Sequence, residues 1–195
     1  MVIAVTGTPG TGKTVFAEKL SGELNAGLIR INDLIEKRKI YELDRDGTKI
    51  VEVKALKREL KKEISKFEGT VIVEGHMSHF MQAATHVVVL RTSPEVLINR
   101  LESRGYSARK VMENVEAEAL DIILWEAVKE HGIKKVFEID TTGKKVDECV
   151  RIFLSALKRK SKLKPGRISW LEKYLNMQNS SELKKCKIKN TKEKK

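Results

Sequence analysis

One stretch near the amino terminus has the residue types and spacing of a phosphate cradle: Gly7-Thr8-Pro9-Gly10-Thr11-Gly12-Lys13-Thr14. It follows a short apolar run, Val2 to Thr6, and opens a helical pattern beginning near Lys13. The order of strand, glycine-rich loop and helix is the context a phosphate-binding P-loop requires. Glycines let the backbone curl until successive N–H groups face one concavity, and the positive end of the helix adds to the same spot. Lys13 is then expected to reach the β- and γ-phosphates and Thr14 to offer its hydroxyl to Mg²⁺. Gly10, Thr11, Gly12, Lys13, Thr14 and Val15 are the candidate nucleotide-binding residues.

Other side chains suit the chemistry that such a cradle implies. Mg²⁺ takes hard oxygen ligands, so an acid at the end of a strand in the same sheet is the expected companion. Glu74, closing the apolar run from Thr70 to Val73, fits that place beside Thr14 as a metal-linked residue. His76 lies two residues on, where strand ends face the crevice of an open α/β sheet. Arg100 and Arg104 share one helix face and could neutralise charge spread over a transferring phosphoryl group. Arg109 and Lys110 are weaker candidates. Asp33, Lys37 and Arg38 are the candidate binders of a second, phosphate-bearing substrate. Lys39 adjoins them, although three consecutive cations on a helix point three ways. His79, His86 and His131 form no metal constellation and read as ordinary polar residues.

The elements that must position these groups alternate between strands and helices. Val15, Phe16, Leu20 and Leu24 recur at helical spacing after the loop, and Gly27–Ile31 reads as a second strand. Asn32 can cap the next helix, Asp33–Ile40, with Asp33 favoured by the helix dipole. Asp44-Arg45-Asp46-Gly47 reads as a turn and Lys54–Phe67 as a charged helix, so that residues 33–69 form a candidate flap. Further strands are expected at Thr70–Val73, His86–Leu90 and Val136–Ile139. Ser93 with Pro94, or Thr92 with Glu95, can start a helix that runs to about Ser103. Ser107 should cap one long helix reaching about Glu130, and Val146–Leu157 is the last core helix. Such alternation implies a parallel sheet covered on both faces.

Composition bounds the rest. The 195 residues carry a net charge of +12, concentrated in residues 158–195, which hold fourteen Lys and Arg against three acids. Residues 1–157 are therefore nearly neutral. The reading is a core of residues 1–157 and a basic C-terminal extension, 158–195, disordered from about Lys184 and dispensable for the chemistry of the core. Within it Ile168–Leu175 could form a short amphipathic helix, and Trp170 and Tyr174 among the cations could stack on nucleic-acid bases. No apolar run is long enough to span a bilayer. Met1 passes straight into a strand, and Cys149 and Cys186 lack metal-site spacing, so a reducing cytoplasm is the expected location.

These residues resemble those of the adenylate kinase isoenzyme 6 family, small NTPases linked to maturation of the small ribosomal subunit. The pieces that carry the resemblance are GTPGTGKT at 7–14, VIVEGH at 71–76, VVVLRTSPEVLINRLESRGYS at 87–107, NVEAEALDIILWEA at 114–127 and TTGKK at 141–145. The resemblance implies an α/β P-loop NTPase fold with a five-stranded parallel sheet flanked by helices. It also implies a helical NMP-binding insertion at about 30–51 and a short lid at about 103–113. By resemblance Arg104 contacts ATP, Lys144 lies beside the adenine, and Glu74 and His76 form the family's acid-x-His element, in which the acid is usually Asp. The implied activity is Mg·ATP-dependent phosphorylation of AMP, with Lys13, Arg100, Arg104 and His76 as catalytic residues and ATPase activity in addition. A ribosome-assembly role with small-subunit protein or rRNA as partner, and a kinase for another small acceptor, are the alternatives.

Overall fold

The computed structural model describes residues 1–44, 49–159 and 163–179, except the side chains of Lys49 and Arg159. Five parallel strands form the central sheet: β1 (Val2–Thr6), β2 (Gly27–Arg30), β5 (Val71–Glu74), β6 (His86–Arg91) and β7 (Val136–Asp140), in the order β2-β5-β1-β6-β7. The cradle thus leaves the middle strand, at the point where neighbouring connections run to opposite sides. Ligand crevices open at that place in doubly wound sheets.

The strands read as continuous apolar runs because both faces are buried, and side-chain alternation divides each run between two cores. Ile3, Val5, Ile72, Val88, Leu90 and Ile139 meet Phe16, Ala17, Leu20, Val150 and Phe153 on one face. These come from α1 (Lys13–Leu24) and α7 (Val146–Arg159). Ala4, Val71, Val73, Val87, Val89 and Val136 face the other way. That side is covered by α2 (Ile31–Arg38), α3 (Val53–Ile64) and α6 (Ile122–His131).

Three local expectations change. The second strand ends at Arg30 and Ile31 already belongs to α2, so Asn32 lies within its first turn and Arg30 holds the cap position. Between α2 and α3 stands an antiparallel hairpin, β3 (Tyr41–Leu43) with β4 (Lys49–Val51), which the sequence pattern had not revealed. The expected turn at 44–47 lies outside the described residues beyond Asp44. The expected long helix after Ser107 is two: α5 (Ala108–Ala119), with the Ser107 hydroxyl accepting from the Lys110 N–H, and α6. The break falls at Asp121, whose φ of 56° is left-handed and whose carboxylate turns inward to Arg91.

Residues 163–179 are packed on the core. Trp170 and Tyr174, the latter in α8 (Leu171–Asn179), are buried against Leu97 and Leu101 of α4 (Pro94–Glu102) and Val111, Val115 and Ala119 of α5. With 8% and 6% of their surfaces exposed, neither ring is free to stack on a base. Their burial joins residues 163–179 to the packed core, where the sequence suggested an extension apart from it. Residues from 180 onward, including Cys186 and the expected disorder from Lys184, lie outside the described residues. Among the described residues no helix is long and apolar enough to cross a membrane.

Candidate active site

The cradle is shaped by two close approaches. Gly7 has a φ of 138°, and a Cβ there would lie 2.4 Å from the Leu90 carbonyl oxygen. Gly10 has a φ of 93°, and a Cβ there would lie 2.7 Å from Leu97 Cδ1. Only glycine accepts both demands. Inside the loop, the Thr8 carbonyl accepts from the Thr11 N–H at 3.2 Å, the Thr11 hydroxyl at 2.8 Å and Lys13 Nζ at 3.0 Å. No side chain caps the start of α1, so its first N–H groups can meet a ligand. Burial pushes the Lys13 ammonium down to about 8, a fall that the charges of Glu74 and Glu118 restrain.

Glu74 ends β5 as expected, and its Oε1 accepts from the Thr14 hydroxyl at 3.4 Å. Burial raises the Glu74 carboxyl above the ordinary carboxylate range, while the Lys13 charge and the Thr14 bond oppose the rise. A hydroxyl and a carboxylate beside each other form the hard-oxygen set that Mg²⁺ prefers, so these residues fit the ion. His76 follows at the end of the turn, where the Thr6 hydroxyl donates to its carbonyl at 3.0 Å. Partial enclosure, then the charges of Lys13 and His79, hold the His76 imidazole below its usual range and neutral at pH 7.

Two cavities meet over the loop. One, of about 300 Å³, is lined by Thr11, Phe16, Arg100, Thr141, Lys144, Val146 and Cys149 among others. The second, of about 280 Å³, is lined by Lys13, Thr14, Asn32, Glu74, His76 and Tyr106 among others. Gly10, Gly12, Val15 and Arg104 line both. Arg100 Nη1 donates to the Gly10 carbonyl at 3.1 Å, fastening α4 to the loop. Lys144 Nζ stands 3.6 Å from Asp140 Oδ2 at the mouth of the first cavity.

The fold therefore gathers Gly10, Thr11, Gly12, Lys13, Thr14, Val15, Glu74, His76, Arg100, Arg104 and Lys144 around two adjoining cavities. Asp33, Lys37 and Arg38 are not among the residues lining either cavity. Asp33 and Lys37 are exposed on α2. Arg38 turns to α3, with Nη2 2.9 Å from Glu63 Oε1 and Nε 3.7 Å from Glu59 Oε2. Of the residues that do line the cavities, Asn32, Tyr106, Thr141 and Cys149 were not singled out for them. Asn32 sits in the place first read as a helix cap, which hid it.

Beneath the loop lies a buried ionic cluster that the sequence reading missed. Arg91 donates to Glu118 Oε1 (2.7 Å), Glu138 Oε1 (2.8 Å), the Glu118 carbonyl (2.8 Å) and Asp121. Burial disfavours the charge on Arg91, but Glu118 and Asp121 more than offset it and raise its pKa. Glu138 Oε2 accepts from the Arg167 and Ile168 N–H groups at 2.9 and 3.4 Å, which ties the C-terminal segment into the cluster. A glutamate inside the apolar strand Val136–Ile139 was the available signal, since a charge there requires a partner. His79, read as ordinary, is 1% exposed, with ring nitrogens 3.0 Å from Thr6 Oγ1 and 3.0 Å from Glu126 Oε2.

Comparison with known proteins fits this geometry. The AAA domain family matches residues 3–121. A protein of Thermococcus onnurineus named "Putative adenylate kinase" is 41% identical over 174 residues, which span 89% of this chain and 93% of that protein. A protein of the same name from Methanocaldococcus jannaschii is 39% identical over 178 residues, spanning 90% and 96% of the two chains. The chain belongs to the adenylate kinase-like P-loop kinases. Among solved structures, shikimate kinase from Acinetobacter baumannii superposes with a TM-score of 0.59 at 16% identity, covering 82% of this chain and 94% of that one. Shikimate kinase from Bacteroides thetaiotaomicron gives 0.57 at 21% identity, covering 81% and 98%. At such identities these two establish the fold of the family member and nothing finer.

Proposed function

We propose that the protein transfers the γ-phosphoryl group of Mg·ATP to AMP, yielding two ADP. The carrying observation is the pair of cavities that share Gly10, Gly12, Val15 and Arg104 as a common wall. ATP would place its adenosine in the cavity of Lys144 and Thr141, and AMP would take the cavity of Asn32, His76 and Tyr106. The group in transit then lies between Lys13 and Arg104.

An AMP phosphate oxygen is already anionic at neutral pH, so attack needs no general base, and a neutral His76 suits a positioning role. The work left for the chain is alignment, neutralisation of charge and exclusion of water. Loop amides and Lys13 hold the donor, Arg100 braces the loop through Gly10, and Arg104 meets the moving charge. Thr14 and Glu74 would hold Mg²⁺, which when bound neutralises charge on the phosphate oxygens. Names of the relatives support the choice of AMP, as does the resemblance in the segments 71–76 and 87–107.

The test is ADP formation from Mg·ATP alone, with each of AMP, CMP, UMP and GMP, and with ribosomal RNA or small-subunit protein. Strong dependence on AMP with two ADP formed per turnover is the expected result. Turnover indifferent to every monophosphate but stimulated by the ribosomal components would replace this reading with that of an assembly ATPase.

A further inference from the structure

We propose that Glu118 is a positioning residue for phosphoryl transfer: acting through Thr8, it fixes the carbonyl on which the Lys13 ammonium rests. The proposal rests on the kinase reading of the same loop, and no motif of the P-loop itself announces it.

The geometry is a relay of three residues from two distant parts of the chain. Glu118, 2% exposed near the end of α5, accepts the Thr8 hydroxyl on Oε2 at 2.5 Å. Its other oxygen accepts Arg91 Nε at 2.7 Å and the Thr92 N–H at 3.1 Å, so the carboxylate cannot rotate away. Thr8 is 1% exposed, and its carbonyl accepts Lys13 Nζ at 3.0 Å. One residue of the loop is thus held by its side chain and holds the lysine by its backbone. A hydroxyl bonded to a charged acceptor is among the stronger hydrogen bonds a side chain makes, enough to decide between loop conformations.

The same helix has a second end. Ser107 starts α5 directly after the segment bearing Arg104 and Tyr106, so Glu118 fixes the helix that follows that segment to the loop bearing Lys13. Distance between those two cations is what in-line transfer demands be held constant. Glu118 also faces Lys13 electrostatically, together with Glu74, and against Arg104. The fold has reason to survive loss of that charge, because a Gln at 118 leaves Arg91 with Glu138 and Asp121.

The experiment uses the full chain and calorimetric titration with Mg·ATP at pH 7, alongside thermal unfolding, for wild type, Thr8→Val, Thr8→Ser and Glu118→Gln. Thr8→Val and Glu118→Gln are expected to weaken Mg·ATP binding by about tenfold at pH 7, and together by less than the product. Thr8→Ser should restore affinity to within about threefold of wild type, since the hydroxyl is what counts. Rescue by Thr8→Ser, with unfolding midpoints unmoved across the Thr8 variants, is a pattern that a purely structural role would not produce. Wild-type affinity in Thr8→Val or in Glu118→Gln, or an affinity in Thr8→Ser no better than in Thr8→Val, overturns the proposal. If wild-type protein itself takes up no Mg·ATP, the kinase reading fails first and the two failures are told apart.

Discussion

Arg91 and Arg104 lie in the same part of the chain and have opposite fates. Arg91 is 1% exposed, and its guanidinium is spent on Glu118, Glu138 and Asp121. Arg104 is exposed, lines both cavities, and makes no ion pair among the described residues. A buried cation must be matched from within the protein or the fold fails. A cation at the rim of a crevice can wait for a ligand. The comparison teaches that saturation of hydrogen bonds, rather than residue type, separates the scaffold from the chemistry.

The contrast can be broken most severely from the scaffold side. Arg91→Leu should destabilise the protein by about 3–5 kcal/mol, because it strands buried carboxylates, and chemical denaturation would measure it. Trp170→Ala should cost a comparable 3–5 kcal/mol through the cavity it leaves against α4 and α5. The denaturation midpoint checks this, and unchanged stability would return the C-terminal segment to the status of an appendage. Arg104→Ala should do the reverse, with kcat lower by about 10²–10³-fold and the unfolding midpoint unmoved. A stability loss there would erase the distinction.

A finer test concerns the proton on Lys13. With its free-protein value near 8, binding of a triphosphate below that pH meets an ammonium already charged. Above it binding must take up a proton, so the Kd for Mg·ATP should rise about tenfold per pH unit, with proton uptake visible in buffers of different ionisation heat. Folding obeys the same linkage. Between about 8 and the ordinary lysine value the unfolded chain binds more protons, so stability of the ligand-free protein gains from this residue as pH rises. The smallest effect is expected at Arg38, which pairs with Glu59 and Glu63 on exposed helix surface. Arg38→Ala should change the AMP KM by less than about twofold and stability by less than about 1 kcal/mol.

How much of this was legible beforehand divides along the same line. The loop from Gly7 to Thr14, the strand-end Glu74 and His76, and the pair Arg100 and Arg104 stand in local patterns, and the fold brings them to the same end of the sheet. The hairpin at Tyr41–Leu43 and Lys49–Val51 carried too few residues to show alternation against the helical patterns on either side. The α5–α6 break at Asp121 looked like continued helix because its cause, Arg91, comes from another element. Arg38 had suitable chemistry for an anion, but α3 supplied carboxylates first.

The order of apolar runs and glycines determined by itself that this chain makes a parallel sheet with a phosphate loop on its first strand. Alternation and φ preference are properties of neighbouring residues, so no distant contact is needed to read them. Tertiary structure alone decided which charges are consumed and which remain available. That choice depends on which carboxylates arrive from α3, α5 and β7, and on Trp170 and Tyr174 closing over α4 and α5. Desolvation acts on groups brought together in space, and their separation along the chain does not encode it.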